Sequence, residues 1–189
     1  NLLYVRFQAH TADAMGMNII SKGVNRIMEY VQADYAGVQM HSLSGNTCSD
    51  KKMAAINWVK GRSKFVSAEA TLDDAAVRGM LHTSAEDLMN LHVEKNLIGS
   101  ALAGAIGGNN AQVANVVAAI FAATGQDMAQ VGTSSLSMLH MRSAGPGKLY
   151  VSLTMPALEV GTIGGGSTLD DQLACLRLLG IDQKHDQAS

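Results

Sequence analysis

Residues 2–40 read LLYVRFQAHTADAMGMNIISKGVNRIMEYVQADYAGVQM. Leu2 to Phe7 is a short apolar run that predicts a strand. From Asp13 to about Gln32 the apolar residues Ile20, Val24, Ile27, Met28 and Val31 recur at helical spacing, which predicts an amphipathic helix. Tyr35 to Met40 reads as a second strand. A strand feeding a helix that returns to a strand predicts a fold of the α/β (α+β) kind.

Outward from this unit, residues 42–53 have no periodicity and read as a loop, the natural domain boundary. Beyond it a short helix is expected over Ala54 to Lys60, a strand over Lys64 to Thr71 and a helix over Asp73 to Leu81. Thr83-Ser84-Ala85-Glu86 has the pattern of a capping box ahead of the run carrying Leu88, Leu91 and His92. Two small-residue helices are expected next, Gly99 to Ile106 and Asn110 to Thr124, split at Gly107-Gly108, the second stopped by Gly125. Strands over Ser134 to Met141 and Lys148 to Met155 would join through Ala144-Gly145-Pro146-Gly147. A last helix, Leu169 to Leu179, ends at Gly180.

Composition narrows the function. The 189 residues are 47% hydrophobic, as in a globular core, and the net charge is −2 from 14 basic and 16 acidic side chains. That balance offers no broad basic field for nucleic acid or an anionic membrane. Two cysteines, Cys48 and Cys175, are too few and too distant for a disulfide framework or a thiolate metal site, and fit a reducing compartment. No apolar run approaches the roughly 20 residues that span a bilayer; the longest, Val113 to Thr124, is interrupted by Asn115. The six histidines show no HExxH and no pair at metal spacing, so no metal is assigned. The single Trp58 and the eleven methionines read as core packing. The chain enters its first strand directly after Asn1, without an initiator Met or targeting sequence, and is expected to be an internal piece of a longer protein.

Four segments could carry chemistry. Asp13-Ala-Met-Gly-Met-Asn18 sits where strand turns into helix, so backbone N–H groups could face a phosphate; its plain reading is an Asp N-cap with Met15 and Met17 in the core. Ser44-Gly-Asn-Thr-Cys-Ser-Asp-Lys-Lys52 gathers hydroxyl, amide, carboxylate and two ammonium groups. Lys51 and Lys52 abut an uncharged run, where a cation stabilises an oxyanion better than in open water, although loop lysines are commonly just solvated. Gly125-Gln-Asp127 places a carboxylate past a helix end, against the helix dipole, or simply in an exposed loop. Gly161 to Gly166 would let backbone approach a ligand closely, or is a flexible turn.

In this order Asp13-Ala-Met-Gly-Met-Asn18, Ser44-Gly-Asn46, Asp50-Lys-Lys52, Ala54-Ala-Ile-Asn-Trp58, Gly125-Gln-Asp127 and Gly161-Thr-Ile-Gly-Gly-Gly166 resemble the 3-hydroxy-3-methylglutaryl-coenzyme A (HMG-CoA) reductases. The resemblance runs from about Leu2 to Gly180. Met17 points to the biosynthetic, NADPH-using class I, which includes the eukaryotic enzymes. It implies two-step reduction of HMG-CoA to mevalonate and free coenzyme A, in isoprenoid and sterol synthesis. The fold implied is a small cofactor domain inserted in a larger, helix-rich coenzyme A-binding domain: residues 1–42 would end the small domain, 43–53 would be the substrate loop, and 54–189 part of the large domain.

By the same resemblance Lys51 and Asp127 would be the catalytic pair. Ser44, Asp50, Lys52 and Lys95 would contact the hydroxymethylglutaryl group, with Asn115 nearby. NADPH would lie against Asp13, Met15, Gly16, Met17 and Asn18, joined by Ile163, Gly164 and Gly165. The complete enzyme would be a homo-oligomer with dimer-built active sites, assembled as a tetramer. It would face the cytosol, anchored in the endoplasmic reticulum membrane by a segment that this chain lacks. The family also uses a Glu ahead of the small domain and a His near the C-terminus, both outside this chain, so the chain alone is expected to be inactive. It departs from the family at Ala12, usually Gly, at Val131, usually Asn, and at Gln112, often His. Two other readings compete: a non-catalytic α/β binding or assembly domain, and an ordinary dinucleotide-binding dehydrogenase, which the lack of GxGxxG weakens.

Overall fold

The computed structural model describes residues 2–44 and 49–181. Gly45 and Asn46 of the loop motif, Cys48, and the tail with His185 lie outside the described residues. Helices combine with one small mixed sheet, as the α/β reading requires. Strands β1 (Lys64–Leu72), β2 (Gly108–Asn109), β3 (Ser137–Ser143) and β4 (Leu149–Leu158) are ordered β1-β4-β3-β2. Neighbours are antiparallel except β2 and β3, which run parallel.

The β3–β4 turn is closed by the Ala144 and Lys148 amides, on the Lys148 and Gly145 carbonyls. Helices α2 (Ala55–Lys60) and α7 (Val131–Ser134) pack on β4 and α4 (Ala85–Leu91) on β3, α6 (Val113–Thr124) packs on α7 and α8 (Asp170–Leu178), and α3 (Asp74–Leu81) follows β1. A π-helical stretch His92–Gly99 and a short α5 (Ser100–Leu102) continue α4. Phe121 and Val117 of α6, Leu176 of α8, Val77 of α3, and Leu136, Leu149 and Ala157 form the buried apolar core. Gly125, in the left-handed region at φ 70°, ends α6 as expected.

Several expectations need correcting. Leu2 to Phe7 and Tyr35 to Met40 form no strand: each lacks a pairing neighbour among the described residues, and an isolated extended run does not make a ladder. The helix between them, α1 (Met17–Asp34), buries none of its 18 residues. The cap expected at Thr83 falls one residue on, where Ser84 Oγ accepts from the Asp87 amide and donates to its carboxylate. Gly107-Gly108 leads into β2 rather than splitting two helices, and α6 begins at Val113, after the left-handed Gln112. No methionine is buried, and Trp58 only partly so. No described helix is long and apolar enough to cross a membrane.

Candidate active site

The motif Gly125-Gln126-Asp127 is where the segments meet. A Cβ on Gly125 would lie 2.4 Å from the Gly166 carbonyl carbon, and one on Gly166 would lie 2.5 Å from the Gly125 oxygen, so only glycine allows the two motifs to interlock. Gln126 then grips the Gly-rich run: Nε2 donates to the Gly161 carbonyl and Oε1 accepts from the Gly161 amide, both at 2.9 Å. Asp127 faces the loop that carries Lys51, its Oδ2 3.1 Å from Lys51 Nζ.

The Gly-rich run also meets the Asp13 segment. Thr162 donates its amide to the Asp13 carbonyl at 3.0 Å, and a Cβ on Gly161 would stand 2.7 Å from the Met15 amide nitrogen. Lys64, at the start of β1, donates to the Ala12 carbonyl at 2.9 Å and pairs with Asp13 at 3.6 Å. Asp13, Ala14 and Met15 therefore lie beside Gly161 and Thr162, 146 positions and more away in sequence, while Gly16 packs on Thr11 and the Met17 sulfur accepts from Arg62 Nη2. Asn18 is exposed on the first turn of α1. Gly164 and Gly165 have positive φ, and a Cβ on either would meet nothing within 4 Å. Backbone at this point is open to a ligand, while the neighbouring glycines fill space against protein.

Lys51 takes a left-handed φ of 57°, a conformation that costs a non-glycine residue roughly 1–2 kcal/mol. Its side chain is 46% exposed. The Asp127 carboxylate, by hydrogen bond and then by charge, pushes its pKa above the ordinary lysine value, so Lys51 is a cation at neutral pH. Asp50 accepts from Arg62 Nη2 at 3.2 Å and from Gln130 Nε2. The Lys52 carbonyl accepts from Asn57 Nδ2 at 2.8 Å and Thr133 Oγ1 at 3.2 Å. Ser44 is exposed, with its carbonyl accepting from Ser42 Oγ. Lys95, on the π-helical stretch, and Asn115, on α6, are exposed, and no hydrogen bond among the described residues ties either to this cluster. Gln112 and Ala12, two of the departures, both sit at positive φ, 71° and 47°. Val131 opens α7.

Arg62, Gln130 and Glu159 were not singled out from sequence. Glu159 is 3% exposed and accepts from Arg62 Nε at 2.7 Å. Burial pushes its carboxyl up to about 7 against the pull of the Arg62 guanidinium. A carboxylate closing the apolar run Pro156-Ala-Leu-Glu159 was the available signal, since such a charge needs a partner. Among the described residues no three His, Cys, Asp or Glu side chains are grouped to hold a metal.

Comparison with known proteins gives the same direction as the motifs. A family model described as hydroxymethylglutaryl-coenzyme A reductase matches residues 1–189. The chain is 51% identical over 180 residues to 3-hydroxy-3-methylglutaryl-coenzyme A reductase 1 of Hevea brasiliensis, covering 95% of this chain and 31% of that protein. It is likewise 51% identical over 181 residues to the Strongylocentrotus purpuratus reductase and to reductase 2 of Dictyostelium discoideum, covering 95% of the chain and 19% and 34% of those proteins. It thus spans between 19% and 34% of the length of these relatives.

Proposed function

The chain belongs to the hydroxymethylglutaryl-coenzyme A reductase family, and from that premise we propose that it forms part of the catalytic domain of a class I enzyme. That enzyme reduces HMG-CoA to mevalonate and coenzyme A with NADPH. The observation that carries this reading is the Lys51–Asp127 ion pair, 3.1 Å long, standing where the substrate loop, the Asp13 segment and the Gly-rich run converge. Residues 1–42 would belong to the small cofactor domain, 43–53 to the substrate loop and 54–189 to the large domain. The absence of any buried residue in α1 fits a segment whose packing partners lie elsewhere. Homo-oligomeric assembly and an endoplasmic reticulum anchor are part of the same proposal.

The chemistry follows from charge. Reduction of a thioester builds negative charge on the carbonyl oxygen, and an ammonium already fixed nearby stabilises it with little reorganisation. Lys51 is that group, held by Asp127 and kept protonated by it. Asp50, Ser44, Lys52 and Lys95 would position the hydroxymethylglutaryl carboxylate and hydroxyl, the lysines by charge, with Asn115 nearby. NADPH, when bound, supplies the hydride. The open backbone at Gly164 and Gly165, beside Ile163 and next to the Asp13–Asn18 segment, suits a nicotinamide cofactor, because nothing on the protein side occupies that space.

The test is HMG-CoA-dependent NADPH oxidation by the 189-residue chain and by a version extended to the length of its relatives. The extended protein should consume two NADPH per free thiol released; the chain alone should not turn over. Binding of HMG-CoA by the extended protein without any NADPH oxidation would favour the non-catalytic reading.

A further inference from the structure

Arg62 follows α2 and lies outside every motif named above, yet its side chain, 20% exposed, reaches three separate parts of the site. Nε donates to Glu159 Oε1 at 2.7 Å, at the end of β4. Nη2 donates to Asp50 Oδ1 at 3.2 Å and to Met17 Sδ at 3.1 Å, and Nη1 reaches Ser49 Oγ at 3.4 Å. Its backbone amide donates to the Pro156 carbonyl, which fixes where the side chain starts. One rigid fork thus joins the loop residue preceding Lys51, the segment assigned to the cofactor, and a buried carboxylate.

Lys51 needs such an anchor. Its left-handed backbone is unfavourable by itself, and Asp127 holds only the tip of the side chain. Asp50, gripped by Arg62 and Gln130, pins the other side of the turn. Glu159 in turn orients the guanidinium, and its own amide donates to buried Ser134 Oγ at 3.0 Å. A lysine in place of Arg62 carries charge but no planar fork, so it could satisfy Asp50 or Glu159 and not both with Met17.

We propose that Arg62, oriented by Glu159, is a positioning residue that holds the Asp50–Lys51 turn against the Met17 segment and so sets where the Lys51 ammonium stands. The proposal rests on the catalytic reading of Lys51 given above. A residue that acts through Lys51 should lose its effect once Lys51 is gone, whereas a structural cross-link would act equally in both backgrounds.

The experiment is a double-mutant cycle in the full-length reductase carrying this chain, with turnover normalised to titrated active sites and melting temperature measured alongside. Arg62→Lys should lower kcat by about 10–100-fold with the HMG-CoA KM within about threefold. In a Lys51→Met background the same change should alter kcat by less than about twofold. Should Arg62→Lys not fold, Glu159→Gln serves the same cycle, with an expected loss of about 3–10-fold that disappears without Lys51. Equal fold losses in both backgrounds, or a lower melting temperature with unchanged kcat per site, would overturn the proposal alone. Normal turnover by Lys51→Met would overturn the role of Lys51 and this proposal with it.

Discussion

Helix α1 and the Lys51 turn are opposites in how they are held. α1 has eighteen residues with a well-spaced apolar face, forms by local preference, and has no fully buried residue. The Lys51 turn has no local preference for its shape, includes a left-handed lysine, and is fixed by contacts from α2, Arg62, the Met128–Gln130 turn and α7. Periodicity therefore announces an element without saying what it packs on. Contacts that shape an irregular loop leave almost no periodic trace.

The widest gap between the two regions should appear in stability. Phe121→Ala, in the buried core, should cost about 3–5 kcal/mol or unfold the chain outright. Val24→Ser on α1 should cost no more than about 0.5 kcal/mol in the 189-residue chain. Urea unfolding measures both, and similar costs would mean that α1 packs on the body in solution. In catalysis the order reverses: Lys51→Met in the full-length reductase should lower turnover by roughly 10² or more with modest change in substrate affinity, while Val24→Ser should leave chemistry at the turn alone. Steady-state kinetics decides it, and near-normal turnover would make the Lys51–Asp127 pair a surface ion pair.

A further contrast comes with pH. Glu159 has a folded pKa of about 7, above its ordinary 4.5. Its stabilising contribution is therefore full below about 4.5 and is lost as pH rises through 7. The melting temperature of the wild type relative to Glu159→Gln should fall between pH 5 and 8, and a difference that stays flat would show the carboxyl titrating normally. The smallest effect is expected at Ala12, whose φ of 47° suits glycine better. Ala12→Gly should stabilise by about 0.5–1 kcal/mol, relief of left-handed strain being partly offset by the looser unfolded chain; a destabilised variant would place Ala12 in an unstrained backbone.

Where a residue's role depends on neighbours in sequence, it was legible. The helix stop at Gly125, the turn at Gly145 to Gly147, and strands β1 and β4 follow from periodicity and punctuation. The flanking strands at Leu2 and Tyr35 were misread because an apolar run states a preference for extension but not whether a partner edge exists. Lys51, Asp127 and the glycine motifs were legible as an ordered series of short signatures. Arg62 and Glu159, 97 positions apart, were not: the single salt bridge between them is created by the register of β1 on β4, which brings Lys64 opposite Leu158.

Gln126 lends itself to a question of tolerance. Its amide presents one donor and one acceptor, as a peptide unit does, and so gives Gly161 the pair of bonds that an adjacent strand would give. The grip is set by side-chain length. Asparagine is one methylene short, and ionised glutamate has no proton to give. The thirty-odd residues between them, hairpin included, can therefore gain or lose residues at the exposed Ala144–Gly147 tip over evolutionary time. Such changes should leave Lys51 in place as long as this amide and the Gly125–Gly166 contact keep gauge between the two motifs.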